Sequence, residues 1–154
     1  MNIIDILSPS SIVNTVTVSS KKRALEKLVE VITKENPDLI EEEIFESLVS
    51  RERLGSTGIG HGVAIPHGRV QTGGKSIGVF LQLQDAIDFD AIDGKPVDLI
   101  FGLLVPQDST DEHLQILASL AALFSDETMC DKIRQANDAD KIHSLITDWD
   151  ATTK

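Results

Sequence analysis

The run Gly55-Ser56-Thr57-Gly58-Ile59-Gly60-His61-Gly62-Val63-Ala64-Ile65-Pro66-His67-Gly68 places four glycines in its first eight residues, a density that no stable helix or central strand tolerates. Residues 55–62 are therefore expected to form a shaped loop. Val63-Ala64-Ile65 reads as a short apolar strand that Pro66 stops, because proline cannot donate to a ladder. His67 is then presented at a strand end, with Gly68 allowing another group to approach the backbone closely.

Outward from this run the elements alternate. Upstream, Val16-Thr17-Val18 is short and β-branched, and Ser19-Ser20 precedes Ala24, Leu25, Leu28 and Ile32 at helical spacing, which predicts a helix over 20–34. A second helix is expected from Pro37 to the Leu54-Gly55 boundary, with Ile40, Ile44, Phe45 and Leu48 as its buried stripe. Downstream, Ile77, Val79, Leu81 and Leu83 alternate as a strand requires. Asp93-Gly94 marks a tight turn before an apolar strand over 97–105 that Pro106 closes.

Ser109-Thr110-Asp111-Glu112 has capping-box spacing ahead of the apolar residues 114–124, so His113 falls in a first helical turn. Two more helices fit 126–136, capped by Ser125, and 138–149, capped by Asn137 or Asp138. The fold class is α/β, with a small mixed sheet flanked by helices. At 154 residues, without a repeat or long linker, residues 1–154 are expected to form a single domain.

Composition narrows the function. With 25 acidic against 14 basic residues the formal charge is −11, which opposes nucleic acid and anionic membrane surfaces. The single cysteine, Cys130, cannot form an internal disulfide, and residues 1–5 lack a basic, apolar leader. The apolar run over 99–105 is far below the ~20 residues that cross a bilayer. A cytoplasmic location without membrane insertion is the resulting expectation.

Chemistry concentrates at His67. A neutral imidazole is a good nucleophile near neutral pH and can take a phosphoryl group on one nitrogen while a hydrogen bond orients the other. Taken alone, Pro66-His67-Gly68 is also how an ordinary strand ends. Gly55 and Gly60 have the first spacing of a Walker loop, but His61-Gly62 stands where Lys-Ser or Lys-Thr is required; Gly58, Gly60 and Val63 complete no dinucleotide fingerprint. Backbone N–H groups of Gly58, Gly60, Gly62 and Gly68 remain candidates for an anion cradle beside His67. Arg51 and Arg53, at the end of the second helix just before the glycine loop, are candidate guanidiniums, and each alone reads more readily as a solvated helix-end charge. His113 is a candidate second site residue, whereas His61 offers little and His143 reads as solvent-facing. His61, His67 and His113 are conceivable metal ligands, yet no His-Glu-x-x-His pattern or cysteine pair supports a metal.

From Arg51-Glu52-Arg53-Leu54 through the glycine run to Gly68, the sequence resembles the active-site segment of phosphotransferase-system IIA proteins of the mannitol and fructose class, particularly their nitrogen-regulatory subgroup. The resemblance continues through Phe89-Asp90-Ala91-Ile92-Asp93-Gly94-Lys95-Pro96-Val97-Asp98-Leu99-Ile100-Phe101-Gly102-Leu103-Leu104-Val105-Pro106 and His113-Leu114-Gln115-Ile116-Leu117, and covers nearly the whole chain. It implies the mannitol/fructose-type IIA fold. It also implies that His67 accepts phosphate from a small HPr-like histidine phosphocarrier, with Arg51 and His113 giving electrostatic and orienting help and no bound cofactor or metal. Arg53 and His61 match no clear family role.

The implied function is a regulatory phosphocarrier in nitrogen-related control, its partners being targets such as sensor kinases or ion transporters. The alternative is a fructose or mannitol uptake component that passes phosphate to a IIB domain. A metal-dependent hydrolase or a non-covalent anion sensor is the reading from another class.

Overall fold

The strand over 97–106 forms the spine of the molecule: every residue of Val97–Pro106 except Asp98 is buried. The computed structural model describes residues 2–109 and 111–152, apart from the side chains of Glu112 and His113. In chain order its elements are β1 (Ile12–Val16), α1 (Lys21–Glu35), α2 (Glu41–Leu54), β2 (Gly58–Gly60), β3 (Val63–Ala64), β4 (His67–Val70), β5 (Ile77–Ile87), β6 (Val97–Pro106), α3 (Asp111–Phe124), α4 (Glu127–Gln135) and α5 (Ala139–Thr152), with 3₁₀ turns at Ile3–Asp5 and Pro9–Ser11.

The sheet is mixed. Its order is β1-β5-β6-β3-β2, and β4 also pairs with β6. β5 runs antiparallel to β6, while β1 is parallel to β5, and β3 and β4 are parallel to β6. Side chains that alternate along β6 divide the core between the two faces. Leu99, Phe101, Leu103 and Val105 pack with Phe80 against Ile116, Leu120 and Phe124 of α3, Ile133 of α4 and Ile142 and Ile146 of α5. Ile100 and Leu104 instead join Val79 and Leu81 under Leu25, Leu28 and Ile32 of α1 and Ile44 and Leu48 of α2. Gly102 keeps the second face flat enough for α1, since a Cβ there would lie 2.8 Å from Leu28 Cδ2.

The helix signals hold locally. Ser20 Oγ accepts the Arg23 N–H at 3.2 Å and starts α1 at Lys21. Asp126, not Ser125, caps α4 by accepting the Met129 N–H at 3.1 Å. Asp138 accepts the Lys141 N–H at 2.7 Å ahead of α5, which runs on to Thr152. The expected capping box falls on Thr110 and the side chain of Glu112, which lie outside the described residues.

Four expectations are corrected. The first strand is Ile12–Val16, earlier than the β-branched triplet at 16–18, because Ile12 and Val16 are the residues buried against β5. α2 starts at Glu41 rather than at Pro37, which sits in a turn closed by Leu39 N–H to Asn36 O at 3.0 Å. Ile40 is accordingly the extended cap residue and 52% exposed, outside the buried stripe. The glycine run is not all loop: residues 58–60 form edge strand β2, where glycine is tolerated because one side needs no partner. Nor does the strand end at Pro66. The chain pairs with β6 on both sides of it, and Pro66 contributes its carbonyl to the Leu103 N–H at 2.9 Å while lacking only a donor.

Candidate active site

The two segments that meet at His67 are the last turn of α2 and the start of β4. Ser47 of α2 joins them with a two-way bond to one residue: its Oγ donates to the Arg69 carbonyl at 3.0 Å and accepts the Arg69 N–H at 2.8 Å. Gly68 permits this approach, because a Cβ there would meet Ser47 Cβ at 3.1 Å and the Ser47 carbonyl carbon at 3.2 Å. We therefore expect Gly68→Ala to force α2 away from β4 and to destabilise the protein by about 1–3 kcal/mol. Urea unfolding measures this, and an unchanged midpoint would show that the contact yields freely.

With α2 docked in this way, Arg51 reaches the imidazole. Its Nε donates to His67 Nε2 at 3.2 Å, and its Nη1 donates to the Gly55 carbonyl at 2.8 Å. His67 Nδ1 lies 2.8 Å from the Ile65 carbonyl oxygen. A carbonyl can only accept, so Nδ1 carries the proton and Nε2 carries the lone pair. The half-buried ring thus has one nitrogen tied to the backbone and a nucleophilic nitrogen beside a guanidinium.

Burial pushes the His67 pKa below its ordinary value of 6.5, with the Arg51 and Arg69 charges acting the same way and the Ile65 hydrogen bond and Glu52 opposing. The ring is therefore neutral at neutral pH. Between the lowered native pKa and 6.5 the unfolded chain binds more protons here than the native one. His67's contribution to stability is complete above 6.5 and falls as the pH drops through that window. Urea midpoints should fall more steeply on acidification for wild type than for His67→Gln; parallel curves would show no native shift.

The other expected residues fall elsewhere. Arg53 is 70% exposed and lies 3.7 Å from Glu46, so of the two arginines Arg51 is the one at the imidazole. Gly60 and Gly62 flank Val63, which pairs with Leu99, whereas His67 pairs with Leu103. Four positions along a strand separate them by about 13 Å. Their neighbours are Asp93 at Gly60, and Arg134 and Asp98 at Gly62, while Gly58 lies against Ala91. Arg134 is paired with Asp98 and also donates to the His61 carbonyl at 2.7 Å.

His61 is exposed, with φ +58, and its Nδ1 is 3.0 Å from Glu127. His143 is half-buried rather than solvent-facing, because α5 packs on the N-terminal segment and its Nε2 meets the Leu7 carbonyl at 3.0 Å. The backbone of His113 belongs to the first turn of α3, but its side chain lies outside the described residues. Among the described residues no group of three or more His, Cys, Asp or Glu side chains could hold a metal ion, and no helix is long and apolar enough to cross a membrane.

Sequence reasoning missed Ser47, Glu52, Thr57 and the Ile65 carbonyl. Only Glu52 carried a signal, as an acidic residue between two arginines in a helix-end turn.

The fold is a mixed sheet that presents a backbone-oriented histidine beside an arginine, and the chain belongs to the family described as "Phosphoenolpyruvate-dependent sugar phosphotransferase system, EIIA 2", whose model matches residues 5–149, which makes it a phosphotransfer component in general. Within that family the similarity runs to proteins named for nitrogen regulation. The Nitrogen regulatory protein of Pseudomonas aeruginosa is 43% identical over 143 residues, covering 93% of each chain. The crystal structure of Nitrogen Regulatory Protein IIA-Ntr from Neisseria meningitidis superimposes with a TM-score of 0.88 at 42% identity, covering 94% of this chain and 98% of that one. IIA mannitol from Escherichia coli shares the fold, with a TM-score of 0.75 at 24% identity over 91% of this chain and 98% of its own.

Proposed function

We propose that this IIA component is a regulatory phosphocarrier: His67 Nε2 accepts a phosphoryl group from the phosphohistidine of a small HPr-like protein, and the loaded and unloaded forms bind different partners. The observation that carries the reading is the Ile65 carbonyl on Nδ1, which leaves the Nε2 lone pair for chemistry.

In the transfer, the Nε2 lone pair forms the new N–P bond as the donor's N–P bond breaks, and that electron pair returns to the donor imidazole. The accepting ring becomes cationic, and Nδ1–H keeps its bond to the Ile65 oxygen. Arg51 Nε–H can no longer donate to Nε2 once that lone pair is used, so it turns to a phosphoryl oxygen, where its charge offsets the dianion. His113 is proposed as a second orienting group on the strength of the resemblance. Gly68 contributes by bringing α2 close. An anion cradle from Gly58, Gly60 and Gly62 gains no support from their positions along the sheet.

Transfer places a phosphoryl dianion on a ring that becomes cationic, a net change of about −1 on a chain that already carries −11, so partners that close around neutral His67 are excluded by the local anionic oxygens and by volume. Sensor kinases or ion transporters are the proposed class of target. The test compares partner affinity for phosphorylated protein, unphosphorylated protein and His67→Ala. A difference of tenfold or more between the first two, about 1.4 kcal/mol, is expected. Equal affinities, together with passage of label onto a IIB domain, would favour the sugar-uptake reading.

A further inference from the structure

Glu52 carries a carboxylate that is only 6% exposed, one residue from Arg51 in the last turn of α2. A buried carboxylate requires strong partners, and this one has three groups arranged around it. Lys21 Nζ, from the first residue of α1, lies 2.8 Å from Oε2. The Thr57 hydroxyl donates to Oε1, and the Thr57 N–H reaches Oε2 at 3.3 Å. Lys21 is itself steadied by the Phe89 ring, whose centroid is 4.9 Å away.

From Thr57 the contacts lead to the imidazole. The Thr57 carbonyl accepts the Ile65 N–H at 3.0 Å, and the Ile65 carbonyl is the oxygen that takes the His67 Nδ1 proton. The same turn meets Arg51 at the Gly55 carbonyl, and the Gly55 N–H is bonded to the Glu52 carbonyl at 3.1 Å. One turn, residues 55–57, therefore touches the supports of both reactive side chains.

We propose that Glu52 is a positioning residue for phosphoryl transfer: held by Lys21, it grips Thr57 by hydroxyl and N–H, and so fixes the Ile65 carbonyl that sets the tautomer and aim of His67. Its effect on rate rests on the reading of His67 as acceptor; its effect on the tautomer does not. A displacement of about 1 Å in a reacting group can cost a hundredfold in rate, so loosening this turn has a large expected consequence.

The experiment is ¹⁵N NMR of the His67 ring, at a pH where it is neutral, in wild type, Glu52→Gln, Thr57→Val and Thr57→Ser, each checked for native fold by hydrogen exchange. Wild type and Thr57→Ser, which keeps the hydroxyl, are expected to hold a single Nδ1–H tautomer. Glu52→Gln and Thr57→Val are expected to show mixed tautomers and phosphoryl acceptance slowed about a hundredfold. A single Nδ1–H tautomer in both folded variants would overturn the proposal, whatever their rates. Should Glu52→Gln fail to fold, Thr57→Val decides alone, since it removes one hydroxyl at nearly constant volume. A wild-type protein that accepts no phosphoryl group would sink the phosphocarrier reading and leave the tautomer comparison as the test of the clamp.

Discussion

His67→Ala is expected to abolish phosphoryl acceptance from an HPr-like donor while leaving the fold in place. The loss should be complete, because His67 supplies the atom that forms the N–P bond rather than a group that assists it. The fold should survive, since the ring is half-buried at the start of a short strand, where it meets a backbone carbonyl and a partly exposed arginine. Labelling with phosphorylated donor, followed by NMR of the phosphohistidine, checks both the residue and the nitrogen. Phosphate on Nε2, labile in acid and comparatively stable in base, is the expected product. Undiminished labelling of the alanine variant would remove His67 from the mechanism, and phosphate on Nδ1 would mean that the Ile65 hydrogen bond breaks before transfer.

Arg51→Ala is the second large effect. Removing one preorganised charged donor costs about 10²–10³ in rate, or ~2.7–4 kcal/mol, and Arg51 is placed to meet the charge that develops on the phosphoryl oxygens. Arg51→Lys should recover only part of the loss. Lysine keeps the charge but has neither the Nε–H that faces His67 nor the second arm that reaches the Gly55 carbonyl. Single-turnover transfer across donor concentrations separates the explanations: a slower saturating rate with little change in half-saturation assigns Arg51 to the transfer step. Equal saturating rates in wild type and both variants would assign it to docking or to the helix end alone. Because Arg51 also ties the C-terminal turn of α2, a native unfolding midpoint is required before the rate is interpreted.

The sequence by itself determined the alternation of helices and strands and the burial of β6, and it singled out His67, rather than His61 or His143, as the candidate for chemistry. Those features follow from neighbours a few residues apart: a serine cap, a 3.6-residue stripe, a two-residue alternation and a proline without a donor. The resemblance, carried by the motif from Arg51 to Gly68, selected Arg51 before any contact was visible.

Tertiary structure decided what depends on groups distant along the chain. That Arg51 rather than Arg53 faces the imidazole depends on how α2 rolls onto β4, which Ser47 and Gly68 set across 22 residues between Ser47 and Arg69. The tautomer of His67 depends on where the Ile65 carbonyl points, and the Ile65 N–H is bonded to the Thr57 carbonyl in a turn that Glu52 contacts, Glu52 being paired in turn with Lys21 of another helix. The glycines show the same division. Their density announced an unusual backbone, but Ala91, Asp93, Asp98 and Arg134 are the neighbours that three of them accommodate, and only the packing of the β5–β6 connection, β6 and α4 against this segment brings those residues there. A residue's local conformational preference is written beside it in the chain; its chemical environment is assembled by whichever segments pack against it.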